Sequence, residues 1–353
     1  MKTTYNFGII GAGMIAENHI QNLMRTGRAK ICWINAKTQP SVDKVAEKYQ
    51  IPNKTTNYHD VLSDPSVDAV VITTPPALHK QMFIDAVKAG KNVLLEKPVG
   101  MNLKEVDEMI AVANAYPKLK ISGCSARHAR LQPKFRKVKE IIDSGILGEI
   151  YYIHHNAARR QERPGIEYHP TAKWFLNKAI AGGGPLFDWG VYDLSFHLGL
   201  LSDKPELENA ETLFMRNGLD RKNPGTDIYD VEEHFAVRMK FSGGLSYFWE
   251  RASHANVDAP NETRIYGTQG GIKLNFCSWD PNEIKVYSTG NNETGDAITE
   301  TVLVDMEGQD DGFELSKHYI DVLDGTTEPL MPLELARKHL DIIFRCYASA
   351  GID

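Results

Sequence analysis

The first third of the chain alternates between two hydrophobic periods. Short, nearly continuous apolar runs at Phe7–Ile10, Lys30–Ile34, Ala69–Thr73, Asn92–Leu95 and Lys120–Gly123 predict strands. Runs of this kind suit strands covered on both faces. Between them the apolar positions take helical spacing. Ile15, Ile20, Leu23 and Met24 lie on one face and stop at Gly27, and Val42, Val45, Ala46 and Tyr49 form a second stripe with Ser41 as its cap. A third helix runs to Ala89 and stops at Gly90, and a fourth starts at Asn102. Repeated strand–helix–strand units predict an α/β fold with a parallel, doubly wound sheet that holds its ligand at the strand carboxyl ends.

Near Ile150 the pattern changes. Glu149–Asn156 reads as a strand, residues 157–169 as a polar irregular stretch, and Pro185–Leu201 as one helix. Strand-like runs follow at Glu211–Met215, His234–Phe241, Gly244–Glu250, Glu262–Tyr266, Gly271–Phe276 and Glu283–Tyr287, with hairpin signals at Ser242-Gly243-Gly244 and Thr268-Gln269-Gly270-Gly271. Sequential strands joined by turns predict an antiparallel sheet. Asn291–Thr299 reads as a mobile surface loop. Phe313–Leu323 and Pro332–Ala350 are helical and can return to the first domain.

A length of 353 residues implies two domains, divided here as 1–125 for dinucleotide binding and 126–353 for substrate binding and oligomerisation. The net charge of −6, with both signs interspersed, argues against a nucleic-acid or anionic-membrane partner. The densest basic stretch, Arg127–Lys139, reads as a solvated helix face, part of which can line an anionic pocket. Four scattered cysteines without a C-x-x-C pair suggest buried free thiols and a reducing compartment. No apolar run approaches a membrane span, and the glycines of Phe7–Ala16 occupy motif positions rather than a signal-peptide core. A cytoplasmic protein is expected.

The chemistry begins at Gly8–Ala16, where Gly11-Ala12-Gly13-Met14-Ile15-Ala16 joins the first strand to the first helix. Gly11 permits the tight turn, Gly13 lets a pyrophosphate approach the backbone, and Ala16 lets helix and strand pack closely. The free N–H groups of the helix N-terminus then face the phosphates. Asn35 stands at the end of the second strand, where Asp or Glu would mark NAD, and Lys37 offers a positive charge nearby, so NADP stays open. Thr73-Thr74-Pro75-Pro76 and Glu96-Lys97-Pro98 follow two further strands at the same edge. Glu96 can accept from a ribose hydroxyl, and Lys97 can bond a substrate oxygen or lower the pKa of an acid–base group. Gly182-Gly183-Gly184-Pro185 leads into a helix that carries Asp188 and Tyr192 at i, i+4. Tyrosine can serve as general acid or base once its pKa of about 10 is lowered by a neighbouring cation. Asp193 and His197 are also i, i+4, but two ligands do not make a metal site, and none is expected.

These motifs, in this order, resemble the Gfo/Idh/MocA family of NAD(P)-dependent sugar and polyol oxidoreductases. The likeness covers nearly the whole chain and rests on Gly11–Ala16, Thr74-Pro75-Pro76-Ala77-Leu78-His79, Glu96-Lys97-Pro98 and Gly182–Tyr192. Ser144–Ile150 resembles the family's crossover between domains. The resemblance implies an N-terminal Rossmann domain and a C-terminal α/β domain with a large open antiparallel sheet that commonly forms a dimer or tetramer interface. It assigns Lys97 to catalysis, Glu96 to the nicotinamide ribose, and Asp188 to orienting the substrate. Tyr192 falls where many members carry His as the acid–base group; tyrosine at this place resembles glucose–fructose oxidoreductase, dihydrodiol dehydrogenase and some pentose dehydrogenases. Ser195 stands where the family often has Asp.

The reading is therefore hydride transfer between nicotinamide and a carbinol carbon of a sugar, polyol or glycoside. Tyr192, Lys97 and Asp188 are the catalytic residues. Gly11, Gly13, Met14, Ile15, Asn35, Lys37, Thr73, Thr74, Pro75, His79, Glu96 and Lys97 are assigned to the cofactor, NAD or NADP, with the family's habit favouring NAD. Arg127, His154, Arg159 and Trp174 are candidates to line the sugar pocket, although Arg159, Arg160 and Arg163 also read as a solvated loop. Two rivals share the nucleotide site: a glycosidase that uses tightly bound NAD for transient oxidation, and a catalytically silent nucleotide sensor.

Overall fold

The computed structural model describes residues 2–160, 172–219, 225–226, 228–257, 259–289 and 297–352. They divide into two units, residues 1–127 with 310–338, and residues 128–309 with 339–353. In the first, β1 (Tyr5–Ile10), β2 (Ala29–Asn35), β3 (Asn53–Thr55), β4 (Ala69–Ile72), β5 (Asn92–Leu95) and β6 (Ile121–Gly123) form a sheet in the order β3-β2-β1-β4-β5-β6. Every pairing is parallel. The connections carry α1 (Met14–Arg25), α2 (Gln39–Tyr49), α3 (Tyr58–Ser63), α4 (His79–Lys88) and α5 (Leu103–Asn114). All four residues of β4 are buried, as the continuous apolar run requires. Asn102 caps α5 by accepting from Glu105 N. Ser41 does not cap α2. The helix begins two residues earlier with Thr38 as N-cap, and the Thr38 and Ser41 hydroxyls bond one another at 2.8 Å. The short β3 and α3 lack enough periodicity to register in the sequence.

The second unit begins with α6 (Pro133–Asp143) and contains β7 (Ile150–Arg160), α7 (Lys178–Ala181), α8 (Pro185–Asp188), α9 (Gly190–Leu200), β8 (Leu207–Arg216), β9 (His234–Phe241), β10 (Ser246–Ala255), β11 (Glu262–Gly267), β12 (Gly270–Leu274), β13 (Glu283–Thr289) and β14 (Ala297–Leu303). Among the described residues its sheet has eight strands, in the order β14-β13-β12-β11-β7-β10-β9-β8. It is antiparallel except where β7 and β10 run parallel at its centre. Several expectations need correction. Residues 157–160 continue β7 rather than beginning an irregular stretch, while residues 161–169, Arg163 among them, lie outside the described residues. The helix expected over Pro185–Leu201 is interrupted at Trp189, so Asp188 ends one helix and Tyr192 lies in the first turn of the next. Ala297–Thr299, taken as loop, opens the edge strand β14, whose polar alternation hides it; residues 291–296 are outside the described set. The chain then forms α10 (Asp311–Asp324) and α11 (Leu333–Ser349).

Residues 310–338 are built into the first unit. Asp324 accepts a two-pronged ion pair from Arg28, the Tyr319 hydroxyl donates to Lys120 O at 3.1 Å, and Gly123 N donates to Met331 O at 2.8 Å. Cys124, Cys277 and Cys346 are buried free thiols, and Cys32 is half-buried. No helix among the described residues is long and apolar enough to cross a membrane.

The core of the second unit is polar where α9 meets the sheet. Every residue of α9 is buried, which normally demands an apolar helix, yet it carries Asp193, Ser195 and His197. Each has a partner. Asp193 accepts from Arg251 Nε at 2.8 Å and Nη2 at 2.5 Å, and from Trp249 Nε1 at 2.9 Å. His197 bonds Tyr247 Oη and Thr263 Oγ1, and Ser195 Oγ accepts from Arg130, which itself pairs with Asp203. Burial favours a protonated Asp193, but Arg251 and His155 outweigh it and hold the carboxyl far below the carboxylate range. Replacing Asp193 by Ala strands a buried guanidinium and is expected to cost about 3–5 kcal/mol. Arg238→Ala, which breaks an exposed pair with Glu211, should cost under about 1 kcal/mol. Urea unfolding of the two variants checks the contrast; equal losses would contradict it.

Candidate functional site

The order β3-β2-β1-β4-β5-β6 reverses beside β1, which opens a crevice at the carboxyl ends of β1 and β4. The glycine turn sits there. Gly11 has φ +110°, and a Cβ on it would stand 2.5 Å from Thr73 Oγ1. Thr73 in turn ties β4 to β1 through two bonds to Ile10 O, from N at 2.8 Å and from Oγ1 at 3.1 Å. Gly13 differs in kind. A Cβ there would meet nothing within 4 Å, so protein packing does not explain the glycine, whereas an approaching pyrophosphate does. Gly13 is the N-cap of α1 and no side chain caps it, which leaves its first N–H groups for an anion. Met14 is exposed, Ile15 half-buried, and Ala16 fully buried against the sheet. Asn35 is buried at the end of β2, its Nδ2 donating to Thr55 O at 3.2 Å; Lys37 is exposed two residues on. Thr74 and Pro75 are half-buried at the end of β4. These residues fit a dinucleotide.

Two assigned residues are engaged within the first unit. His79 is completely buried, with Nδ1 2.8 Å from Pro98 O and Nε2 2.7 Å from Thr74 O. Burial lowers its pKa while the two carbonyls oppose that. Its ring nitrogens face these two carbonyls, so it ties together the loops after β4 and β5. Arg127, a sugar-pocket candidate, is buried in the first unit and donates to Glu96 Oε1 at 2.6 Å. The same oxygen contacts His19 Nε2 at 2.8 Å, and Oε2 accepts from Lys97 N at 3.0 Å. Burial would raise the Glu96 pKa, but Arg127 and His19 prevail and hold it well below the usual range. Glu96 is thus a fixed anion at the start of the loop that carries Lys97. His19, Glu96 and Cys124 bring three potential metal donors within 4.8 Å of one another, but Arg127 already supplies the cation that such a cluster would hold. His19 was missed because nothing in the spacing of α1 separates it from a core histidine. Arg127–Lys139 is solvated only in part: Arg136 is exposed, but Arg127 and Lys134 are buried, and Arg130 is paired.

In the second unit Asp188 and Tyr192 are both buried. The turn before them is clamped. Glu232, buried, accepts from Gly184 N at 2.8 Å, Leu186 N at 2.9 Å and the Tyr347 hydroxyl at 2.9 Å. A Cβ on Gly184 would collide with Glu232 O, and one on Gly183 with the Tyr347 hydroxyl. The glycines are thus required by the close approach that seats α8 and Asp188. Burial raises the Glu232 pKa against the lowering effect of these donors. Rings enclose Tyr192: His128 at 4.9 Å and Trp189 at 5.3 Å between centroids. Trp279 stands nearly perpendicular to both His128 and Trp189, and the Arg251 guanidinium lies 5.0 Å from the Trp189 ring. His128 and Trp279 belong to none of the sequence motifs, and only the fold joins them to Trp189.

The remaining pocket candidates separate by strand alternation. His155 points to α9, with Nε2 3.4 Å from Asp193. His154 therefore points to the opposite face of the sheet, where it packs against Phe248 and Tyr152; it does not join Tyr192. Arg159 lies on the His155 side, half-buried, near Cys277 and Asp280, whose pKa values burial raises despite its charge. Trp174 is half-buried and stacks on Phe175 at 3.9 Å. Asp193 and His197 are spent on the core rather than on a metal.

A parallel sheet of this order, with an open glycine turn at its reversal, defines a dinucleotide-binding protein. Residues 5–122 match the family model described as "Oxidoreductase family, NAD-binding Rossmann fold", and residues 135–273 match the GFO/IDH/MocA C-terminal domain. The chain belongs to the GFO/IDH/MocA family and is an NAD(P)-dependent oxidoreductase. It is 26% identical over 285 residues to trans-1,2-dihydrobenzene-1,2-diol dehydrogenase of Mus musculus, covering 79% of this chain and 77% of that one. It is 24% identical over 302 residues to D-xylose 1-dehydrogenase, NADP(+), of Haloarcula marismortui, covering 84% and 76%. A levoglucosan dehydrogenase in complex with NADH and levoglucosan shares the fold, with a TM-score of 0.82, 18% identity, and coverage of 99% of this chain and 97% of that chain.

The two glycines of the turn are expected to fail differently. Gly11→Ala forces a Cβ onto Thr73 at positive φ and should lose about 2 kcal/mol of stability or more. Gly13→Ala should stay within about 1 kcal/mol of the parent yet bind dinucleotide about tenfold more weakly or worse. Thermal unfolding with fluorescence titration of the reduced dinucleotide separates the two; a Gly13→Ala variant with unchanged affinity would refute the assignment.

Proposed function

We propose that the protein transfers a hydride reversibly between nicotinamide C4 and a carbinol carbon of a sugar, polyol or glycoside. The observation that supports this best is the pair Asp188 and Tyr192, buried on successive helices behind a turn clamped by Glu232. Two ionisable groups fixed so firmly suit proton transfer from an alcohol. In the oxidative direction Tyr192 removes the hydroxyl proton, the Lys97 cation favours the phenolate, and Asp188 orients the substrate. Donors fixed around the developing oxyanion supply much of the rate. The nicotinamide accepts the hydride. Relatives named for a diol and a pentose agree with a carbinol substrate.

NAD is the favoured cofactor. Asn35 gives one Nδ2 hydrogen to Thr55 O and keeps its amide oxygen, an acceptor that suits a ribose hydroxyl. The half-buried aromatic sheet face around Tyr152, His154, Phe248 and Tyr266 supports association with a second copy as a homodimer or homotetramer.

Nicotinamide absorbance over a panel of aldoses, ketoses, polyols and glycosides, with each cofactor, tests the chemistry. Turnover is expected with NAD preferred, and Lys97→Ala and Tyr192→Phe should each lower kcat by about 10²–10⁴-fold. Cofactor binding without net turnover, together with glycoside cleavage, would favour the redox glycosidase instead. Sedimentation should give an oligomer that Phe248→Glu dissociates; a monomeric parent would overturn the association.

A further inference from the structure

Against the two rings that pack on Tyr192 stands a large aromatic side chain that the fold secures yet leaves half uncovered. Trp279 is 52% exposed. It lies on the segment Asn275–Asp280, which follows β12 and has no ladder of its own to hold it. The segment is held by Lys134. That lysine is 0% exposed, and its ammonium donates to Asn275 O at 2.9 Å, Cys277 O at 2.5 Å and Asp280 O at 3.0 Å. Burying an ammonium is expensive unless its donors are met, and here three backbone carbonyls of one short segment meet them. A backbone hydrogen bond from Asp280 N to Cys277 O closes the turn around Trp279.

The indole is also fixed from within. Its plane is 79° from that of His128 and 81° from that of Trp189, with centroids 5.1 and 5.9 Å away. The same two rings pack against Tyr192. Trp189 is backed in turn by the Arg251 guanidinium, which Asp193 holds. The wall next to the phenol is therefore aromatic, rigid and continued outward by an indole open to solvent. An exposed, immobilised aromatic surface pays its solvation cost only if something apolar covers it.

We propose that Trp279 is the specificity-determining residue of this site, a platform for the C–H face of a ring-closed sugar, so that pyranoses and their glycosides are preferred over open-chain polyols. The inference rests on the hydride-transfer reading and narrows its substrate class. A ring-closed sugar in a chair presents a flat patch of axial C–H groups, whereas an open-chain alditol exposes hydroxyls on every side and loses conformational freedom when flattened. Lys134 is a positioning residue for that platform.

The test compares a 1,5-anhydrohexitol, locked as a ring, with the corresponding open-chain hexitol. Each is titrated calorimetrically into the protein with reduced dinucleotide bound, and matched ring-closed and open-chain sugars are compared by KM with oxidised dinucleotide. The parent should prefer the ring by about tenfold. Trp279→Ala should abolish that preference through KM and the binding constant, with kcat and dinucleotide affinity nearly unchanged, and Trp279→Phe should restore most of it. A general structural role would instead lower kcat and dinucleotide affinity together. Equal affinity for ring and open chain in the parent, an unchanged preference in Trp279→Ala, or no binding of either sugar overturns the proposal. Ring-selective binding without turnover of any panel member would reject the hydride-transfer reading while upholding the platform.

Discussion

The ion pair between Asp193 and Arg251 is the interaction on which the second unit turns. It joins a wholly buried helix to the middle of a mixed sheet, and it does so with charges that neither element could tolerate alone. Part of the wall around Tyr192 inherits its position from that contact. The carboxylate also anchors Trp249, the guanidinium supports the face of Trp189, and Trp189 packs on Tyr192. A helix held by apolar contacts alone could slide or rotate by small steps. One held by a two-pronged ion pair has a single register, which suits a site whose phenol must meet a substrate hydroxyl within hydrogen-bond reach.

The first unit reaches the same end by other means. There the loops after β4 and β5 are locked by buried polar groups. His79 spans Thr74 and Pro98, and Glu96 gathers Arg127, His19 and the backbone N–H of Lys97. Lys97 thus leaves a loop whose start is bonded on several sides. Much of what a family motif records is support of this sort. A residue can be part of the motif because it holds the backbone that the reacting residue stands on.

How much was legible in the sequence follows from this difference. The parallel sheet announced itself, because strands buried on both faces and helices with one apolar stripe have distinct periods. Gly11 and Gly13 were readable because a turn and a close approach admit few residues. The faces of the second sheet were not. His154 and His155 are equally polar neighbours, and only the register against β10 and β11 tells which one meets α9. Arg127 and Lys134 looked like solvated charges because their partners, Glu96 and three carbonyls of residues 275–280, lie far away in sequence. The aromatic wall had the same defect: His128, Trp189 and Trp279 share no spacing. Local periodicity reports an element's covered face and says nothing about its distant partners.

The division of the chain between its units bears on how the protein is made. Residues 310–338 complete the nucleotide unit, through Arg28–Asp324, Tyr319–Lys120 and Met331–Gly123, yet they follow the whole of the second sheet. Synthesis delivers the amino end first, at about 5–20 residues per second. The six-stranded sheet therefore emerges early and waits for its last helix until nearly all of the eight-stranded sheet has left the ribosome. During that interval the surface that α10 will cover is bare, and a nascent chain stalled before residue 310 would display it to chaperones.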